Sequence, residues 1–181
     1  MRVAISGAQR TGKTTLLEAL ARALGDHQAV EEPFYLLQAE GYDFAEMPAP
    51  EDFERQLERS IELAMEDKPD RLFDRCPADM LAYLLTHDDA ESFDAEAWLP
   101  GIDEAMGRLD FVVFCGIERP DRIAVSAAER GWRRRVDEEL RDIVIGDRRD
   151  WGIPTLEVAG EPDQRVSQVL AALESSRRRA R

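Results

Sequence analysis

The chain has 181 residues, of which 34% are charged and 44% hydrophobic, and its formal net charge is −14 at pH 7. That length fits one domain with a substantial core, and the acidic balance argues against a general nucleic-acid binder, which needs a basic face. No apolar stretch approaches the length needed to cross a bilayer, and a first strand beginning at Arg2 is read as leaving no room for a signal peptide. Cys76 and Cys115 lie far apart without metal-type spacing, so they read as reduced, buried thiols of a cytosolic protein. His27 and His87 have no matching partners for a metal site or triad and read as surface residues.

The first predicted strand, 2–6, is short and apolar and runs into Gly7-Ala8-Gln9-Arg10-Thr11-Gly12-Lys13-Thr14, a complete G-x-x-x-x-G-K-[ST] phosphate loop. A helix is predicted over 13–24, where leucines and alanines recur at helical spacing. The loop therefore lies between a strand and a helix, the context the motif requires. Gly7, Arg10, Thr11, Gly12 and Thr15 are read as cradling phosphate oxygens, helped by the positive end of the helix dipole. Lys13 reaches the β- and γ-phosphates, and Thr14 supplies a hydroxyl to Mg²⁺. Only Lys13 and Lys68 are lysines, so Lys13 stands out in a chain whose cations are arginines.

The second strand, 28–31, ends in Glu31-Glu32-Pro33. An extended backbone turns one glutamate inward and the other outward. Either can be the general base for an acceptor hydroxyl, or both can be solvated loop acids. A helix over 52–67 follows, then a strand over 70–74 that exits into Asp74-Arg75-Cys76-Pro77. Asp74 there can hold a metal beside the phosphate loop while Arg75 reaches substrate or phosphate; the plainer reading is that Asp74 caps the helix predicted over 77–87. After a helix over 92–107, Phe111-Val112-Val113-Phe114-Cys115 is the clearest buried strand, within 110–116. Its exit is Gly116-Ile117-Glu118.

Helices over 119–129 and 136–150 flank Gly131-Trp132-Arg133-Arg134-Arg135, the densest basic spot in the chain. Arginines at a helix start oppose its dipole. The segment 128–140 therefore reads as a lid hinged at Gly131, whose arginines close over a phosphoryl group. A strand over 154–158, the exit Ala159-Gly160-Glu161, and a helix over 162–177 finish the pattern; the cluster Arg177–Arg181 suits a helix C-terminus. Strands alternating with helices give an α/β chain: a three-layer P-loop NTPase fold with a five-stranded parallel sheet, helices on both faces, in a single domain 1–181. Ligands then sit at the carboxyl ends of the strands, with an acceptor pocket between residues 31–57 and 74–84. Phe34, Tyr35, Phe53, Gln56 and Tyr83 read first as core packing and second as the lining of that pocket.

The phosphate loop, Glu32-Pro33, Asp74-Arg75-Cys76-Pro77-Ala78-Asp79 and the arginine-rich segment together resemble the nucleoside/nucleotide kinase group of P-loop proteins. Within it the chain looks most like bacterial AAA-type predicted ATPases and kinases related to the nicotinamide-riboside kinase domain, and more distantly like deoxynucleoside kinases, from Met1 to about Gly160. The resemblance implies that Lys13 and Thr14 bind phosphates and Mg²⁺, and that Glu32 (or Glu31) activates the acceptor hydroxyl. It implies that Asp74 and Arg75 sit near metal and acceptor, and that Arg133, Arg134 or Arg135 supplies the lid cation. Arg135-Val136-Asp137 looks most like the relatives' Arg-x-Asp pattern, and Gln56 resembles a base-reading glutamine.

The expected activity is transfer of the γ-phosphoryl group of ATP, with Mg²⁺, to a hydroxyl of a nucleoside-like small molecule. No guanine-reading Asn-Lys-x-Asp is present, which favours ATP as donor. The expected partners are a small-molecule acceptor, without nucleic acid or membrane, and a homodimer is compatible with the chain. Two other readings stand beside this one: a stand-alone ATPase or GTPase acting as a switch or regulatory subunit, and a nucleotide-binding module without turnover.

Overall fold

A computed structural model describes residues 1–121 and 123–179. Its five strands are β1 (Arg2–Ser6), β2 (Gln28–Val30), β3 (Arg71–Asp74), β4 (Phe111–Phe114) and β5 (Thr155–Glu157). All pair in parallel, in the order β2-β3-β1-β4-β5. The helices are α1 (Lys13–Leu24), α2 (Pro33–Ala39), α3 (Pro50–Met65), α4 (Pro77–Thr86), α5 (Ala95–Met106), α6 (Ala127–Val144) and α7 (Pro162–Arg179). The predicted three-layer α/β fold is the one observed.

Side chains alternate along each strand, and both faces of the inner strands β1, β3 and β4 are covered, so these read as short, largely apolar runs. Val3, Ile5, Leu72, Phe111 and Val113 pack with Leu16, Leu17 and Leu20 of α1 and Val169 and Leu173 of α7. Ala4, Phe73, Val112 and Phe114 face the other way, onto a larger cluster with residues of α3, α4, α5 and α6. Helix α4 is buried from Pro77 to Leu84 because it lies in the middle of that layer, against both α3 and α6.

Three expectations change. The helices expected over 119–129 and 136–150 are a single helix, α6, which begins where the Ser126 hydroxyl accepts the Glu129 N–H at 3.1 Å. Gly131 lies inside this helix and is no hinge, and the three arginines stand in its second and third turns, where the terminal dipole no longer penalises them. Of the segment before it, residue 122 lies outside the described residues, as do the last two positions of the Arg177–Arg181 cluster. Second, α2 begins at Pro33, a residue preset for a first helical turn; its seven residues are too few for a periodic signal. Third, His27 is buried, and neither of its ring nitrogens has a hydrogen-bond partner. Burial holds it neutral by pushing its pKa below the ordinary histidine value, aided by the nearby N-terminal ammonium.

Arg2 joins the ends of several elements opposite the phosphate loop. Its guanidinium donates to the carbonyls of Ala64, Glu66 (2.7 Å), Lys68 (2.9 Å) and Arg108 (2.9 Å). It thus caps the open C-terminal carbonyls of α3 and ties them to the turn before β4. Replacing it with methionine keeps the stem and removes the donors. Arg2→Met should lower unfolding stability by about 2 kcal/mol, seen as a lower urea midpoint with unchanged nucleotide affinity. An unchanged midpoint would show that solvent replaces these bonds at no cost.

Candidate active site

The site grows from the exit of β1. Gly7 adopts φ +148°, and a Cβ there would lie 2.3 Å from the Cys115 carbonyl oxygen, so only glycine lets β1 and β4 leave the sheet this close together. Gly12 takes φ +85° and turns the loop into α1. Arg10, at φ +60°, holds a left-handed conformation that costs a non-glycine residue energy. The loop is braced from inside: the Thr11 hydroxyl donates to the Ala8 carbonyl at 3.0 Å, and the Lys13 ammonium donates to the same oxygen at 2.8 Å. Lys13 is buried, and desolvation, with Arg75 nearby, lowers its pKa to about 8. Thr15 lies at the loop's outer wall with Arg10, Gly12 and Glu118.

The register of the sheet brings Asp74 alongside. Its Cα pairs with that of Ile5, one residue before β1 ends. From there its Oδ2 accepts the Thr14 hydroxyl at 2.8 Å, while its Oδ1 is buried without any hydrogen-bond partner. Burial raises its pKa, against the bond from Thr14 and the charge of Lys13. A buried carboxylate oxygen with an open lone pair beside a threonine hydroxyl offers hard oxygen donors of the kind a small divalent cation takes. Asp74 thus meets Thr14 as the sequence reading expected and is not the cap of α4; that place is taken by Asp79.

Asp79 is fully buried. Its Oδ2 accepts the Cys76 N–H at 2.9 Å, closing the first turn of α4, and its Oδ1 accepts the Gly7 N–H at 3.0 Å. The Cys76 thiol beside it is pushed far up by burial and by this carboxylate, so it stays protonated. Arg75, with φ +79°, is the second strained arginine of the site. Its Nη1 donates to the Gly7 carbonyl at 3.0 Å and approaches Asp79 Oδ1 at 3.5 Å, and its Nε donates to Glu32 Oε1 at 2.5 Å. The guanidinium also lies over the Tyr83 ring, 5.2 Å from its centre. Glu31 points to solvent, so of the two glutamates the one brought into the site is Glu32.

The arginines of α6 separate by helical angle. Arg133 is buried and donates from Nε to the Gln9 carbonyl at 2.7 Å and from Nη2 to the Arg10 carbonyl at 3.4 Å; Nη1 pairs with Asp121. Arg134 is exposed and pairs loosely with Glu138. Arg135 turns away to the Thr86 carbonyl and, at 2.8 Å, to Asp88. The expectation that Arg135 faces the phosphate site is therefore corrected: successive helical residues point about 100° apart, and Arg133 is the one against the loop. Asp137, four residues on from Arg133, accepts the Ile117 N–H at 2.9 Å and belongs to the β4 exit.

Beside the loop opens a cavity of about 240 Å³ between α2, α3, α4 and α6. It shares Gln9 with the phosphate loop and Glu32 and Arg75 with the cluster above. Phe34, Phe53, Gln56 and Tyr83 line it, the second of their two readings from the sequence, whereas Tyr35 is half exposed and lies outside. Phe53 and Tyr83 stack at 5.2 Å with rings nearly parallel, and Trp132 meets both edge-on. The Tyr83 hydroxyl donates to Gln9 Oε1 at 2.6 Å and accepts the Gln9 N–H at 2.9 Å, fixing the loop to the cavity wall.

Asp79, Trp132 and Arg165 were not singled out as site residues from the sequence. Asp79 sits where an ordinary helix-capping acid sits, which hides its second bond. Arg165, from α7, donates to the carbonyls of Thr11 (2.7 Å) and Gly160 (2.8 Å) and pairs with Glu118 at 2.5 Å. Nothing local in sequence announces a contact spanning more than 150 residues.

No curated protein sequence matches the chain. Among solved structures, it is similar to deoxyadenosine kinase from M. mycoides, at 11% identity and TM-score 0.65, over 97% of this chain and 100% of that one. It is similar to thymidylate kinase from Candida albicans, at 17% identity and TM-score 0.64, over 97% and 91%. It is also similar to shikimate kinase from Aquifex aeolicus, at 18% identity and TM-score 0.59, over 97% of both chains. At these identities the likeness is one of fold. A family model, described as AAA domain (AAA_28), matches residues 2–165. The chain therefore belongs to this AAA domain family, built on the fold of the P-loop nucleoside and nucleotide kinases.

Proposed function

We propose that the protein is a kinase that transfers the γ-phosphoryl group of ATP to a hydroxyl of a small, nucleoside-like molecule. The observation that carries this reading is the cavity at the phosphate loop with the Glu32 carboxylate at the junction. An enzyme that passed phosphate only to water would need no aromatic-lined chamber of this size there.

Each residue then has a task. The backbone of Gly7 to Thr14 and the Lys13 ammonium bind the donor's phosphates, Lys13 exchanging the Ala8 carbonyl for phosphate oxygen. Thr14 and Asp74 are the residues that would hold Mg²⁺, and the unpartnered Oδ1 of Asp74 fits that use. Bound there, the ion would neutralise charge on the phosphates. Glu32 takes the proton of the acceptor hydroxyl as the new P–O bond forms and the bridging P–O bond to ADP breaks. Arg75 holds Glu32 in place and supplies positive charge nearby. Arg133, already at the loop, screens charge on the group in transfer, and the exposed Arg134 and Arg135 have no part in it. Positioning and charge neutralisation together are what such a transfer requires.

Two variants test the assignments. Lys13→Ala should abolish measurable turnover and weaken ATP binding, whereas Glu32→Gln should lower kcat by about 10²- to 10⁴-fold with little loss of ATP affinity. Normal turnover by Glu32→Gln would remove Glu32 as the base. ADP release measured across a panel of nucleosides and other alcohols should depend on the acceptor; equal release with and without acceptors would favour a stand-alone ATPase.

A pH titration tests Lys13. With its pKa near 8 in the free protein, against an ordinary 10.5, the side chain becomes neutral as pH rises through about 8. A phosphate anion favours its charged form, so ATP binding at pH 8–9 should draw in a proton, and affinity should fall above that range. Calorimetry in buffers of different ionisation enthalpy reads the uptake directly, and it should vanish in Lys13→Ala. Folding shows the opposite trend: between about 8 and 10.5 the unfolded chain binds more protons, so this residue's contribution to stability rises with pH.

A further inference from the structure

The acceptor cavity combines aromatic walls with an unusual charge. Five of its lining residues are aromatic: Phe34, Phe44, Phe53, Tyr83 and Trp132. Phe34 and Phe44 pack at 4.3 Å between ring centres, and Phe53, Tyr83 and Trp132 form a second group. Such surfaces favour a flat ring, because stacked and edge-on aromatic contacts add to area burial. The charged lining residues are Glu32, Asp52 and Arg75. Asp52 is buried and accepts from the Tyr42 hydroxyl at 3.1 Å and from the N–H groups of Ala45 (3.3 Å) and Ala49 (3.1 Å), all of them neutral donors.

Among the described residues, the lining of this cavity holds one cation, Arg75, against the two carboxylates of Glu32 and Asp52. Arg75 gives its Nε to Glu32 and its Nη1 to the Gly7 carbonyl and Asp79. Lys13 and Arg133 point at carbonyls of the phosphate loop. Recognition of a phosphate or carboxylate normally relies on a guanidinium or ammonium with open donors. Here an anionic ligand would meet two carboxylates and a single guanidinium whose Nε and Nη1 are already bonded. Burying an unpaired charge is costly.

We infer that the ligand of this cavity is an uncharged alcohol bearing a flat aromatic ring, and that ligands bearing a phosphate or carboxylate are refused. This rests on the reading of the cavity as the acceptor site and adds its selectivity: an unphosphorylated nucleoside fits, and a nucleoside monophosphate does not.

The donor site also takes nucleotides, so the test blocks it first, with Mg²⁺ and a non-hydrolysable ATP analogue at saturation. Purine and pyrimidine nucleosides, matched 5′-monophosphates, and paired ring alcohols and ring carboxylates are then titrated calorimetrically. The best-bound neutral compound should bind at least about tenfold more tightly than its anionic counterpart, a difference of about 1.4 kcal/mol. Equal or tighter binding of the anions overturns the inference, and so does failure of every neutral ring compound to bind. Asp52→Asn, which removes the charge and keeps the shape, should narrow the ratio several-fold; an unchanged ratio removes Asp52 from the argument. If that variant does not fold, Phe44→Leu gives the second check: it should weaken the ring compound several-fold and leave the ATP analogue unaffected, and equal affinity for the ring compound counts against the aromatic wall. Turnover separates the two claims. Phosphorylation of monophosphates would sustain the kinase reading and sink this one; selective binding of nucleosides with no phosphorylation would do the reverse.

Discussion

The buried guanidinium of Arg75 is the contact on which both halves of the site depend. It bonds the first carbonyl of the phosphate loop, the carboxylate that closes the head of α4, and the carboxylate at the mouth of the cavity. Removing three charged groups from water is expensive, and a well-packed apolar cluster could serve stability as well or better. What the ion cluster gives is geometry. It fixes the distance between the phosphate loop and Glu32, because the planar fork of arginine allows little latitude. The strained backbone of Arg75 belongs to the same arrangement: φ +79° turns the chain sharply from β3 into α4 and aims the guanidinium back under the loop.

The sheet explains why these groups meet at all. β1 lies in the middle of the order, between β3 and β4, so its exit is flanked by the exits of both neighbours. β3 delivers Asp74 and Arg75 on one side, and β4 delivers the Cys115 carbonyl and Glu118 on the other. Parallel strands point all their carboxyl ends the same way, and the crossover helices return the chain for each new strand. The phosphate loop therefore stands between the cavity walled by α2, α3, α4 and α6 and an outer side held together by Arg165.

Helix α6 shows how tertiary packing reorders a local signal. Three adjacent arginines at 133–135 look equivalent along the chain, yet one is buried against the loop carbonyls, one is solvated and one is paired with Asp88. The residue before them, Trp132, turns into the cavity and bonds Thr86. The segment is a packed helix whose inward face supplies an aromatic wall and a single cation to the site. Gly131, within the helix, has open space around it.

What the sequence by itself determined is everything whose parts are adjacent in the chain. The phosphate loop is one contiguous motif, so its glycines, Lys13 and Thr14 were readable with the strand and helix around them. The inner strands β1, β3 and β4 were readable because burial on both faces makes each short and largely apolar, and the partly exposed edge strands β2 and β5 were readable from their place in the alternation with helices. Asp74 and Glu32-Pro33 were readable as strand exits, where a parallel sheet collects its chemistry. Only the tertiary structure decided which of two glutamates faces inward, which of three arginines reaches the loop, that His27 is buried, and that Asp79 braces Gly7 across 72 residues. Those choices depend on helix rotation, sheet register and contacts between distant segments. Residue type and spacing leave these open, because the same side chain caps a helix, pairs at a surface or anchors a site according to what packs against it.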